Sequence, residues 1–308
     1  PILIMDRLSR LQGISGELDN QFAVASSGAT VLIDGDILAY NVTANVAKLS
    51  TAIRRFQQEV LKAIFLTGAE RAIVHLTSSS GDKNKRKLIV ADLPYQSNRA
   101  GKAKPPLLEA LRVSMSKESN WLDMFECYLW EDIEADDALM IDAYRLKDKG
   151  IMYSVDKDLR QTPYPYYEIK TGKLFPALDG IGWVDLRYTE GSSGAGKLTG
   201  HGELFLWTLM LAGDKADNVK GLRKAHGKNI GDTSAVAEMR GITDREEMIH
   251  KVMYLYAAID QNPIPELWML YLLQAPDKTA IDYLLELPVY PDVKKWINIL
   301  LKETKWLK

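Results

Sequence analysis

The chain has 308 residues, 46% of them hydrophobic and 26% charged, and a formal net charge of −2. Such a globular composition can bury a sizeable core in one large domain or one domain plus a satellite, while the near-neutral balance excludes a global attraction to nucleic acid, so any binding surface must be local. The lone Cys127 excludes an internal disulfide framework and a cysteine-rich zinc site, and it fits a reducing cytoplasm.

Residues 1–5 are apolar but interrupted at once by Asp6 and Arg7, too short a run for a signal peptide or an anchor. The most apolar later stretch, residues 267–273, falls far below the roughly 20 residues that span a bilayer. The expectation is a soluble intracellular protein. Val31-Leu32-Ile33 reads as a strand closed by a turn at Asp34-Gly35-Asp36. A helical pattern covers residues 49–67, and residues 71–77 (RAIVHLT) read as a second strand. Residues 125–130 form a third strand leading into an acidic helix over 133–147, and residues 150–155 give a fourth. Strands alternating with helices imply an α/β fold, a mainly parallel central sheet flanked by helices. Beyond residue 160, residues 166–175 resemble a β-hairpin around Thr171-Gly172, residues 190–202 read as a flexible Gly/Ser connection, and residues 203–212 form a buried helix. From 244 onward the pattern is helical.

In parallel sheets ligands sit at the carboxyl ends of the strands. Asp34 follows the first strand, Asp82 lies beyond the second, Glu134, Asp136 and Asp137 beyond the third, and Asp156 and Asp158 after the fourth. Asp156 and Asp158 are two apart in an extended segment and can point to one side. Glu134 with Asp137, and Asp214 with Asp217, stand three apart, as neighbours on a helical turn do. A like-charged pair at 4 Å costs about 4 kcal/mol at an effective dielectric of about 20, so such crowding implies bound cations or protonation. Phosphodiester hydrolysis by two hard cations needs such an oxygen-rich set, and the four histidines show no metal-ligand spacing. Any one of these acidic pairs alone is better explained as a solvated turn or helix cap; the ordered set is not.

Between residues 82 and 104, seven basic residues (Lys83, Lys85, Arg86, Lys87, Arg99, Lys102, Lys104) stand against two acids. They can neutralise phosphates without regard to sequence. A second basic element runs from Gly213 through Lys220 and Lys224 to Gly227, Lys228 and Gly231, where glycines let backbone amides approach a phosphate. It reads as a helix-hairpin-helix clamp on DNA.

The ordered segments VLIDGD, GDKNKRK, LPYQSNR, IEADD, SVDKDL and GDKADNVKG, over about residues 30–232, resemble the 5′-nuclease (flap endonuclease-like) superfamily, especially bacteriophage 5′-exonucleases and the 5′-nuclease domain of bacterial DNA polymerase I. The resemblance implies a PIN-like/5′-nuclease fold with Asp34, Asp82, Glu134, Asp136, Asp156, Asp158 and Asp214 as the acidic core, Asp137 and Asp217 as additional acids, and two Mg2+ ions, with Mn2+ as a substitute. It implies a 5′–3′ exonuclease and flap endonuclease acting on duplex DNA with a 5′ end, flap or gap. The setting is replication in a bacterial or phage-infected cytoplasm, with replication proteins as further partners and a monomer as the default. The stretch after Tyr95 resembles the family's arch. Where many phage members carry Lys after that tyrosine, this chain has Gln96, so the electrostatic task is expected of Arg99, Arg86 or Lys87. Asp34 and Asp82 are expected to be catalytic, and Lys83, Lys85, Lys87, Tyr95, Gln96, Lys102 and Lys104 to bind DNA. The expected organisation is an N-terminal extension (1–30), a nuclease core (31–190) with its arch at about 83–117, and a DNA-binding and helical C-terminal region (203–308); no polymerase domain follows.

Alternatives remain at this point. A PIN-like ribonuclease or RNA–DNA hybrid nuclease would share the fold, and a non-catalytic DNA-binding protein would share the basic surface. A nucleotide-binding P-loop at Gly191 to Lys197 has the right spacing but places Leu198 where Ser or Thr would meet magnesium.

Overall fold

The computed structural model describes residues 28–99, 101–188, 194 and 196–304. Its frame is a six-stranded sheet of β1 (Thr30–Asp34), β2 (Arg71–Thr77), β3 (Phe125–Trp130), β4 (Gly150–Tyr153), β5 (Tyr166–Glu168) and β6 (Lys173–Phe175), in the order β3-β2-β1-β4-β5-β6. Every neighbouring pair is parallel except β5 and β6, whose short connection makes them an antiparallel hairpin. All five residues of β1 are buried, as a central parallel strand covered on both faces requires.

The pleat divides the apolar side chains between two layers. Val31 and Ile33 point into a core with Ala39 of α1 (Gly35–Thr43), Phe56 and Val60 of α2 (Leu49–Thr67), and Leu111 and Met115 of α3 (Leu108–Met115). Leu32 points the other way, toward Leu139, Met140 and Ala143 of α4 (Ala135–Leu146). The chain progresses outward from β1 through β2 to β3, then returns to place β4 on the other flank of β1. That reversal opens a crevice beyond the carboxyl ends of β1 and β4.

The remaining described elements are an antiparallel pair, β7 (Trp183–Arg187) and β8 (Lys197–His201), then α5 (Glu203–Ala212), the two-residue strands β9 (Lys224–Ala225) and β10 (Lys228–Asn229), and α6 (Asp232–Met239), α7 (Arg245–Ala257), α8 (Ile264–Leu270), α9 (Ala280–Glu286) and α10 (Pro291–Glu303). α5 is buried along residues 204–211 and is the centre of the second core. The polar tips there are bonded: Tyr256 donates to the Met210 carbonyl at 2.6 Å, and the Trp207 indole donates to Tyr283 Oη at 3.0 Å. α5 ends at Gly213 (φ 73°), where a Cβ would lie 2.4 Å from the Lys220 carbonyl oxygen, so only glycine lets the following loop close back. Asp214 and Val219 then exchange backbone hydrogen bonds of 2.9 and 2.7 Å.

The strands and helices expected between residues 49 and 153 fall where the hydrophobic pattern puts them. Three expectations need correction. Asp34 does not open a turn: its side chain caps α1 by accepting from the amides of Asp36 and Ile37, so the helix starts directly from the strand. Residues 197–201 are not a flexible connection but strand β8, its Leu198 buried and paired with Leu186. The stretch between α5 and α6 is not a bare glycine turn between two helices; it carries the β9–β10 ladder, with His226 (φ 50°) and Gly227 (φ 76°) in left-handed backbone at its turn. Residues 1–27 and most of the Gly191 to Lys197 motif lie outside the described residues; Lys197 itself opens a strand, where a P-loop needs a helix. No helix among the described residues is long and apolar enough to cross a membrane.

Candidate active site

A cleft of about 550 Å3 lies over the carboxyl ends of β1 and β4. Six carboxylates line it (Asp34, Asp36, Glu134, Asp136, Asp156, Asp217), and so do six cations (Lys83, Lys87, Arg99, Lys102, Lys104, Arg112). Asp34 projects from the end of β1. It accepts from Ser154 Oγ at 2.9 Å as well as from the two α1 amides, and burial together with Asp36 pushes its carboxyl up to about 7 despite those bonds. Gly35 beside it is required because a Cβ would lie 2.4 Å from the His75 carbonyl oxygen of β2. Asp36, in the first turn of α1, accepts from Arg112 at 2.7 Å and from the Thr77 amide at 3.1 Å.

Burial first, then the nearby Asp34 and Asp156, hold Asp136 well above the ordinary carboxylate range. Such groups stay charged only beside a compensating cation. Asp156 sits in the turn after β4, where its Oδ1 accepts from the Asp158 amide at 3.0 Å. Glu134, the residue capping α4, is already engaged: Lys83 and Arg86 donate to it at 3.0 and 2.9 Å and Tyr95 Oη at 2.8 Å. Burial pushes its carboxyl up, but Arg86 and Lys83 outweigh that and leave it below the usual range.

A second group lies at the cleft's margin. Oxygens of Asp158, Asp214 and Asp217 lie within 4.8 Å of one another, a spacing that could hold a metal ion. Lys157 reaches Asp214 at 3.1 Å. Yet Asp158 Oδ1 and Asp214 Oδ2 are buried and accept no hydrogen bond from the described residues, Lys157 Nζ standing 3.8 Å from the former. Orphaned buried carboxylate oxygens are costly unless something cationic meets them, so these residues fit a divalent ion with oxygen ligands. Burial and the neighbouring Asp156 raise Asp158 well above its ordinary value, whereas Lys157 and the Ala216 amide outweigh burial at Asp214 and lower it.

Several expected residues lie elsewhere. Asp82 is exposed and does not line the cleft. Asp137 is wholly buried and clasped by Arg86 through two bonds of 2.7 Å, with the Leu273 amide as a further donor. Arg86, expected to meet phosphate, is itself fully buried and also donates to the Tyr271 carbonyl at 2.8 Å. It ties the acidic floor to the C-terminal helices and has no surface from which to reach a substrate. Arg99 keeps a place in the cleft, bonded to Asp217 and the Ala216 carbonyl. Gln96 anchors the same loop, its side chain donating to Asp217 at 3.1 Å. Lys85 is exposed outside the cleft. Lys220 and Gly231 line a neighbouring groove of about 590 Å3 together with Lys197 and Lys215, and Lys224 and Lys228 are exposed on the β9–β10 hairpin.

The sequence reading omitted Asp36, Arg112, Ser154 and Lys157. Asp36 had a signal, since it ends the same Asp-Gly-Asp; Arg112 had none, because only the packing of α3 against α1 brings it to the cleft.

No protein-family model matches the chain, and no curated protein matches it. Among solved structures, the chain is similar to the bacteriophage T5 D15 protein co-crystallised with metal ions, at 16% identity and a TM-score of 0.47 over 90% of this chain and 99% of that one. T5 5′-exonuclease with bound zinc gives 16% identity and 0.47 over 90% and 98%. A variant of the T5 D15 flap endonuclease, in a pseudo-enzyme–product complex with DNA and metal ions, gives 15% and 0.47 over 90% and 98%.

Proposed function

We propose that the protein is a divalent-metal-dependent nuclease that hydrolyses phosphodiester bonds in DNA, as a 5′–3′ exonuclease and flap endonuclease. The observation that carries this reading is the cleft itself, a floor of carboxylates at the strand ends facing a row of lysines and arginines. A pure phosphate-binding surface gains nothing from that floor, which repels the anion it would grip. Asp34, Asp136 and Asp156 would hold one ion, and Asp158, Asp214 and Asp217 a second. The chemistry supplied by two bound Mg2+ ions, with Mn2+ as a substitute, is charge neutralisation on the phosphate and activation of water.

The chain's own residues do the rest. Arg112 holds Asp36 at the α1 end of the floor, and Arg86 locks Asp137 so that the start of α4 cannot shift. Lys87, Lys102 and Lys104 line the outer cleft, where they meet the backbone of a strand entering it. Asp82 retains a role only by way of its loop, whose amides pair with Glu131 and Asp132 carbonyls. In this reading residues 31–190 form the nuclease core with its arch at about 83–117, and residues 203–308 grip duplex through Lys220, Lys224, Gly227, Lys228 and Gly231.

The test is cleavage of duplex and 5′-flap DNA labelled separately at the 5′ and 3′ ends, with Mg2+ and with EDTA. Short 5′-labelled products that depend on Mg2+ and vanish in EDTA are expected. Binding without cleavage in Mg2+ or Mn2+ would make this a DNA-binding protein, and cleavage confined to RNA strands a ribonuclease.

A further inference from the structure

One cation of the cleft is placed differently from the others. Lys83 Nζ donates to Glu134 Oε1 and to Gln96 Oε1, both at 3.0 Å, while its side chain keeps 20% of its surface exposed and lines the cleft. An ammonium has three N–H donors, so one remains for a group entering the cleft. Arg86 is fully buried, and Arg99 is drawn toward Asp217 and the Ala216 carbonyl by two of its five N–H groups.

The backbone on both sides of this contact is strained. Eight described non-glycine residues have positive φ, and four of them are Lys83, Asn84, Lys85 and Gln96. A run of three left-handed residues persists only where its surroundings fix it, and such strain gathers at functional sites. Here the Asn84 amide donates to the Asp132 carbonyl at 2.9 Å, the Trp268 indole donates to the Asn84 carbonyl at 3.1 Å, and the Gln96 amide donates to the Asp217 carbonyl at 2.9 Å. Three separate parts of the chain therefore hold the lysine and its partner in place.

We propose that Lys83 is a catalytic residue whose ammonium contacts a non-bridging oxygen of the reacting phosphate, and that Gln96 is the positioning residue that aims it. The assignment rests on the nuclease reading. Gln96 brings no charge of its own; its carbonyl, beside Glu134, orients a cation delivered from the loop after β2. A point charge meeting developing negative charge acts in the transition state more than in binding.

The experiment is single-turnover cleavage of a labelled 5′-flap duplex in Mg2+ by the full-length wild type, Lys83→Met and Lys83→Cys. The last is measured before and after alkylation with 2-bromoethylamine, which rebuilds an ammonium; Cys127, the other thiol, is buried in the sheet core. The expected loss is about a hundredfold for both variants, with a melting temperature that stays above the assay temperature, affinity for the flap in EDTA within about threefold, and most of the rate restored by aminoethylation. Gln96→Leu should lower kcat about tenfold without raising KM. A loss of less than about fivefold at Lys83 in an otherwise active protein overturns the assignment and leaves the nuclease reading intact, and so does a loss that aminoethylation does not restore. A wild type that cleaves nothing overturns both.

Discussion

Asp34 shows how one residue ties folding to chemistry. It caps α1, accepts from Ser154 and faces the other acids, and burial with Asp36 raises its carboxyl from 3.8 to about 7. A raised acid pKa means that the folded state binds the proton more tightly. Its contribution to stability is complete below about pH 4 and is lost as pH rises through about 7. In EDTA the melting temperature should fall by several degrees between pH 5 and pH 8; Mg2+ should shrink that fall, and Asp34→Asn should remove much of it. A melting temperature flat across this window would contradict the burial argument. The Arg86–Asp137 pair has another consequence. Each partner is fully buried, so Asp137→Ala leaves the guanidinium still paired with Glu134 but strips two of its N–H groups of their acceptor, and should cost about 3 kcal/mol in urea unfolding. A cost below about 1 kcal/mol would mean that the pair does not brace α4. From sequence, Arg86 and Asp137 looked like site residues because they sit among the right neighbours; only the packing of residues 271–273 against them shows that they face inward.

At the scale of elements, legibility followed periodicity. α2 and β1 to β4 were readable because each carries a clear apolar period and ends at a turn signal. α1 was not, because Asp34-Gly35-Asp36 is equally a turn, and only the close approach of Gly35 to β2 decides for a helix. β8 was hidden by glycine, since Gly200 within it and Gly202 just after it read as linker while Leu198 packs in the core. The β9–β10 hairpin raises Lys224 and Lys228 into solvent on either side of Gly227. Replacing both lysines by Gln should weaken duplex binding and lower the slope of log K against log salt by about 1 to 2. An unchanged slope would remove this hairpin from the DNA contact.

At the scale of the whole molecule, the strand order decides where the acids meet. Asp34 and Asp156 are far apart in sequence, but β1 and β4 are neighbours, and α4 brings Asp136 in between. That convergence was legible as a rule about parallel sheets. The exclusion of Asp82, the engagement of Glu134 and the recruitment of Arg112 were not, because they depend on how loops and α3 pack. Asp214 and Asp217, named from sequence as site acids, come from the loop after α5, whereas the stretch from 244 onward showed only a helical pattern and yet supplies the Trp268 and Tyr271 contacts behind the cleft.

The central claim is that this cleft hydrolyses DNA with divalent ions held by its carboxylates. The most direct measurement is the single-turnover cleavage rate of a 5′-flap duplex in Mg2+ for the wild type and for Asp156→Asn, with DNA affinity measured alongside in EDTA. The account requires the wild type to cleave and the variant to lose at least about a thousandfold in rate while binding DNA as well as before. Near-normal turnover by Asp156→Asn would contradict it.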